Sequence, residues 1–347
     1  MESGESEQLK GEDVQRNPEE QVNEGEEDLA NIFKMIASGV AWECIDLSGR
    51  ELVAIPENVK KIRGLLVLNL SRNQLEAIPD SIAGLEFLEH LDVASNLLVS
   101  LPDSIGLLRN LKILIVSGNK LTNLPDSIEQ CGSLLEIDAS FNNLACLPRN
   151  MGYGLQLLER LSIQLNNIRS LPTSLCELKS LRYLDAHFNA ICGLPNAFGR
   201  LESLEVLNLS SNFSDLTELP ETIGDLANLR ELNLSNNQIR SLPNSFLRLE
   251  KLTKLVLDEN PLLVPPVDVV VNGVQAVREY MLKKWQDDME VERQRFILEA
   301  NKEGAETGWI SWGTSMVSNL VSGISERVSS YAGGRRTPTD PFLDQEL

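Results

Sequence analysis

Residues 65–88 read LLVLNLSRNQLEAIPDSIAGLEFL, and their spacing decides the fold. Leu68 and Leu70 alternate with polar neighbours, the period-two pattern of a short strand that turns its apolar side chains inward and leaves the residues between them facing solvent. Asn73 follows where the strand must end, with an amide able to satisfy backbone donors and acceptors that a turn would otherwise bury unpaired. Pro79 then fixes φ in a stretch that needs no ladder hydrogen bonds. The same lettering, LxxLxLxxNxLxxIPxxIxxLxxL, returns with a period of about 23 residues: asparagines fall at 73, 96, 119, 142, 166, 189, 212, 237 and 260, with Arg50 where a first would stand. Ten units fit between Trp42 and Pro266, and ten of the 15 prolines recur at the equivalent place.

A repeat of this kind predicts that each unit buries its apolar residues only against its neighbours, so the chain builds a stack. Ten strands at about 4.8 Å give a parallel sheet roughly 45 Å long, slightly curved, with helical or irregular segments on the convex side. One extra residue near MGYG, between Asn142 and Asn166, and two in NFSDLTELP, between Asn212 and Asn237, are expected to bulge on the loop or convex side without breaking the stack.

These letters are those of the leucine-rich repeat, and LPxxIxxLxxLxxLxLxxNxL resembles its intracellular, Ras-group type. After the repeats, NGVQAVREYMLKKW carries Gly273, Val274, Tyr280 and Trp285, which match the spaced signature of the plant intracellular Ras-group-related leucine-rich repeat proteins. The resemblance covers about two thirds of the chain. It implies an α/β solenoid, a leucine-rich repeat horseshoe of about ten repeats with a parallel concave sheet and helical caps. It also implies protein interaction in signal transduction, with protein partners such as a small GTPase or other signalling proteins, and no cofactor.

The expected organisation follows from composition around the repeats. Residues 1–25 are an acidic disordered tail, since residues 1–30 carry eleven acidic side chains against Lys10 and Arg16, a net of −9 within a total of −20. Leu29, Ile32, Phe33 and Ile36 lie at helical spacing and predict an N-terminal capping helix over 26–41. Repeats run over 42–267. Residues 268–303 form a C-terminal capping helix, with Val270, Val274, Val277, Met281 and Trp285 as its apolar stripe, so that Tyr280 and Trp285 read as capping residues before they read as ligands. Residues 304–347 hold an amphipathic segment and a flexible tail.

Charge excludes one class of function. A net of −20 repels phosphate backbones, and no arginine-rich or mixed aromatic and basic patch opposes it, so nucleic acid is not an expected partner. The first residues lack the basic start and apolar run of a signal peptide, and no apolar stretch approaches the roughly 20 residues of a membrane-spanning helix. The expectation is an intracellular, cytoplasmic protein. Its 5 cysteines are odd in number and form no CxxC pair, which fits reduced thiols.

Partner recognition is expected on the concave face, where the central solvent-facing column reads Asp46, Asn69, Asp92, Ile115, Asp138, Ser162, Asp185, Asn208, Asn233 and Val256. Around it in repeats five to seven gather Glu136, Phe141, Arg160, Gln164, Leu165, Tyr183, His187 and Phe188, with the aromatic and arginine content of an interface hot spot. Phe141, Leu165 and Phe188 precede the repeat asparagine, where an aromatic can also pack against the strand edge, and both readings stay open. Catalysis is not expected: Asp138 lies two strands from His90, roughly 10 Å and too far to share a metal with it, and no Ser or Cys stands beside Asp185 and His187 as a nucleophile. Neither GxxxxGK[ST] nor HExxH occurs. No metal site is predicted.

A second functional class comes from GWISWGTSMVSNLVSGISERV, residues 308–328. On a helical wheel Trp309, Ile310, Trp312, Met316, Leu320 and Ile324 fall on one half and serines on the other, the pattern of an uncharged lipid-packing surface. Peripheral membrane contact through this segment is the alternative function. Docking on the solenoid or in a partner's groove would bury the same stripe.

Overall fold

The computed structural model describes residues 43–212 and 216–307, with side chains described through residue 299. The acidic tail, the N-terminal capping stripe and the tail residues Trp309, Ile310, Trp312, Met316, Leu320 and Ile324 therefore lie outside the described residues.

Ten strands of three residues form one parallel sheet in chain order: β1 (Cys44–Asp46), β2 (Val67–Asn69), β3 (His90–Asp92), β4 (Ile113–Ile115), β5 (Glu136–Asp138), β6 (Arg160–Ser162), β7 (Tyr183–Asp185), β8 (Val206–Asn208), β9 (Glu231–Asn233) and β10 (Lys254–Val256). The central residue of nearly every strand points into the coil and is buried, and the flanking two face the open side. Pro79, Pro102 and Pro125 each open a five-residue 3-10 turn, Asp80–Gly84, Asp103–Leu107 and Asp126–Gln130, whose buried isoleucine meets the strand leucines across the coil. The two-layer core is thus leucine from the strand side against isoleucine or leucine from the turn side, continuous from Ile45 to Met281.

The repeat asparagines stitch successive coils together. Asn119 accepts from the Leu98 amide at 3.0 Å and donates to the Val93 and Val116 carbonyls at 3.0 and 2.9 Å. Its side chain is buried, so removing it would leave a buried amide unpaired, a loss of about 1–3 kcal/mol. The residue before each asparagine takes a left-handed φ, as at Arg72, Ser95, Phe141, Leu165 and Phe188. This conformation turns the chain off the strand.

Neither insertion shifts the register of the sheet. The first becomes α1 (Met151–Gly154), a single α-turn in the place of a 3-10 turn, and the register passes from Glu136 to Arg160 without a slip. The second includes residues 213–215, outside the described residues; on either side of it Val206 still pairs with Glu231.

The repeat unit closes with α2 (Val267–Val270) and the start of α3 (Val274–Thr307). Gly273 joins them at φ +89°, a conformation in which a side chain would be strained. Val277 and Met281 are buried, Val274 and Tyr280 pack on the core, and the Arg278 guanidinium donates to the carbonyls of Leu249 and Leu252 at the end of the last coil. A second unit begins at Leu282, and its described part is the remainder of α3. Within it Trp285 is half-buried, and the ion pairs Lys284–Asp288 and Glu290–Arg293, at 3.0 and 2.9 Å, run along the helix surface.

Candidate functional site

A 23-residue period makes each residue the lateral neighbour of its equivalent in the next coil, so distant sequence positions become columns on the sheet. The first strand residues bring Glu136, Arg160 and Tyr183 side by side, and the third bring Asp138, Ser162 and Asp185. Arg160 lies with its guanidinium carbon 4.3 Å from the centre of the Tyr183 ring, and its Nε is 3.7 Å from Glu136 Oε1. A guanidinium stacked on a ring in this way gains from the ring's negative face and loses little of its hydration.

Tyr183 in turn donates its hydroxyl to Asp185 Oδ2 at 3.1 Å. Burial, the Asp185 charge beside it and that hydrogen bond push the phenol above its usual value, against the opposing pull of Arg160. His187 Nδ1 is 2.6 Å from Asp185 Oδ1, which also accepts from the His187 amide at 3.2 Å, and Asn208 Nδ2 lies 3.3 Å from the same ring nitrogen. Asp185 is only 6% exposed. A covered carboxylate would be costly alone, and here the phenol, imidazole and amide supply the compensating contacts. The His187 ring meets the Phe188 ring edge-on at 5.4 Å between centroids.

Glu136, Arg160, Tyr183, Asp185, His187 and Phe188 are therefore one connected group across β5–β7. Asp138 lies beside it, half-buried, and raises the Tyr183 phenol by its charge. Gln164 is half-buried, and its Oε1 is shielded from solvent with no hydrogen-bond partner among the described residues. Phe141 is 57% exposed and Phe188 42%, whereas Leu165 between them is half-buried. Both rings keep exposed area on this face, Phe141 more than Phe188.

One role of the central column is invisible in a column-wise reading of the sequence. Asp46, Asn69, Asp92, Asp138, Asp185, Asn208 and Asn233 each accept, through Oδ1, the backbone amide two residues on, at 2.9–3.2 Å. They close a side-chain turn at the end of the strand, a structure Asp and Asn form readily. At five of the seven, the Asp-x-Ser or Asn-x-Ser spacing carried that signal.

Beside this column runs a second one, a residue before each strand, whose charges from β3 to β9 are cancelled within the chain. Glu89 pairs with Lys112 at 2.7 Å, and Arg182 stands between Glu159 and Glu205, at 4.0 and 2.8 Å, with Arg230 3.5 Å from Glu205. Among the described residues no three His, Cys, Asp or Glu side chains gather closely enough to hold a metal ion, and no described helix is long and apolar enough to cross a membrane.

Leucine rich repeat models match residues 45–98, 213–262 and 110–131. Plant intracellular Ras-group-related LRR protein 3 of Arabidopsis thaliana is 59% identical over 152 residues, 44% of this chain and 32% of that protein. Plant intracellular Ras-group-related LRR protein 2 of the same plant is 60% identical over 153 residues, 43% of this chain and 32% of that protein. The matched region thus spans about a third of the length of these curated relatives. A TDR receptor crystal structure superposes with a TM-score of 0.56 at 29% identity, covering 67% of this chain and 45% of that one. With ten parallel strands in one open sheet and leucine rich repeat models matching three of its segments, the chain has the leucine-rich repeat fold, and its matched region is similar to the plant intracellular Ras-group-related LRR proteins.

Proposed function

We propose that this chain is a non-enzymatic scaffold inside the cell that holds another protein against its sheet face in signal transduction, the partner being a small GTPase or another signalling protein. The observation that carries the reading is the connected group on β6 and β7, where Arg160 stacks on Tyr183 and Tyr183 bonds Asp185. Tyrosine and arginine held rigidly on strands are the residues that most often dominate interface energies. Phe141 and Phe188 extend the same surface with exposed aromatic area. The non-enzymatic reading is supported by the pair Asp185 and His187, whose polar side-chain contacts are with Tyr183 and Asn208; Ser162, beside Asp185 on β6, hydrogen-bonds to neither side chain among the described residues. The word intracellular in the relatives' names supports the compartment. Gly273, Val274 and Tyr280 are assigned to closing the end of the coil, and Trp285 to the helix that continues from it.

The test is capture of partners by the full chain from plant extract, comparing the unaltered protein with Tyr183→Ala/Arg160→Glu, both shown by circular dichroism to be folded. Loss of about tenfold or more of captured protein is expected, since each hot-spot truncation costs about 2 kcal/mol or more. Unchanged capture by the double variant overturns the proposal.

A further inference from the structure

We infer that the partner presents to the sheet face a basic segment in polyproline-II conformation. This rests on the sheet face being the binding surface and specifies what it binds.

Along the third strand position the aspartates fall on every second strand: Asp46 on β1, Asp92 on β3, Asp138 on β5 and Asp185 on β7, with Asn69, Ile115, Ser162 and Asn208 between them. At about 4.8 Å per strand, carboxylates recur roughly every 9.6 Å. Asp185 is covered by Tyr183 and His187, but Asp92 and Asp138 are half-buried, and among the described residues neither has an ion-pair partner. In each, Oδ1 closes the turn to Ala94 or Ser140, while Oδ2 makes no hydrogen bond among the described residues. The adjacent column cancels its own charge through Glu89–Lys112 and Glu159–Arg182–Glu205–Arg230. The uncompensated charge of the face is therefore negative and repeats every second strand.

Exposed aromatics share that period. Phe141 and Phe188 follow Asp138 and Asp185 by three residues each, with 57% and 42% of their surface exposed. Beside them the Tyr183 ring is held by Arg160.

A matching ligand must place cations about 9.6 Å apart on one side. A β-strand returns to one face about every 6.7 Å, and an α-helix advances about 5.4 Å per turn. Polyproline II has three residues per turn at about 3.1 Å each, so every third side chain lies on one side, about 9.3 Å from the last. Lys or Arg at i and i+3 would meet Asp92 and Asp138, and proline rings further along would lie on the aromatic shelf, the mode by which proline-rich segments dock aromatic-lined grooves.

The experiment uses fluorescence anisotropy with the full chain and two labelled twelve-residue peptides of equal composition. One repeats Arg-Pro-Pro four times; the other carries its four arginines in a block followed by the prolines. The spaced peptide is expected to bind at least about fivefold more tightly than the blocked one, and Asp92→Asn/Asp138→Asn to reduce its affinity about four- to twenty-five-fold, at roughly two- to fivefold per exposed ion pair. Asparagine keeps the turn bond, as Asn69, Asn208 and Asn233 do in this chain, so the variant removes charge and leaves the fold. Asp103→Asn/Asp126→Asn, with the same charge change in the 3-10 turns, is expected to bind as the unaltered protein does. Equal affinity for the two peptides, equal losses in both double variants, or no binding of either peptide overturns the inference. Partner capture that depends on Tyr183 and Arg160 would survive any of these results, which separates this inference from the broader reading.

Discussion

Asp138 illustrates how one residue carries two jobs on this scaffold: Oδ1 ties off the strand through Ser140, and the other oxygen stays available at the surface. The return of Asp on every second strand of the column is legible in the sequence because the period aligns it, but that alignment alone does not tell a turn-closing group from a recognition group. Contact with the residue two positions on decides it. The cysteines offer a cleaner case at this scale. Cys131 is buried, its Sγ donating to the Ile105 carbonyl at 3.2 Å, and burial pushes its thiol up to about 11 against a small opposing effect of Arg109. Burial raises the Cys176 thiol as well. Since only the thiolate reacts, a raised value means less reactive form at any pH below it. At pH 8 a maleimide is expected to label the exposed Cys44, Cys146 and Cys192 rapidly and the two buried thiols only on unfolding. Five equal labelling rates, read by peptide mass mapping, would contradict this placement.

At the scale of the element, the strands are legible in full because Leu-x-Leu alternation and the following asparagine fix both their position and their inward face. The segments opposite them are less so. Spacing alone predicts something helical or irregular there, and the structure resolves it as 3-10 turns after proline with one α-turn, α1, where the extra residue enters. The reason is packing: Gly152 and Gly154 let α1 lie directly against its neighbours, since a Cβ at either would sit 1.6 Å from the Ser174 carbonyl or 1.9 Å from that of Glu129. Gly154→Ala is expected to lower stability by about 1–3 kcal/mol, the usual range for overpacking. Gly132→Ala, whose nearest contact would be 3.8 Å away, is expected to change it little. Urea midpoints of the two variants make the comparison, and similar midpoints would contradict the close fit of α1.

At the scale of the whole molecule, stacking converts a linear period into a surface, and this is why so much of the candidate face is legible from residue spacing alone. Glu136, Arg160 and Tyr183 are 24 and 23 residues apart in sequence and neighbours on the sheet. What the period does not reveal is how those side chains engage. The stacking of Arg160 on Tyr183, the covered Asp185 and its bond to His187 depend on rotamers that sequence spacing leaves free. Nor does the period say which polar columns are neutralised within the chain; that emerges only when the pairs along Glu159, Arg182, Glu205 and Arg230 are seen together. The central claim is that partners sit on the sheet side of the repeats. Its most direct measurement is site-specific photo-crosslinking in plant extract, with p-benzoylphenylalanine replacing Phe141 or Phe188 on the sheet side, or Tyr153, 64% exposed in α1, on the opposite side. The account predicts protein adducts from positions 141 and 188 and none from 153; adducts from 153 alone, or equally from all three, would contradict it.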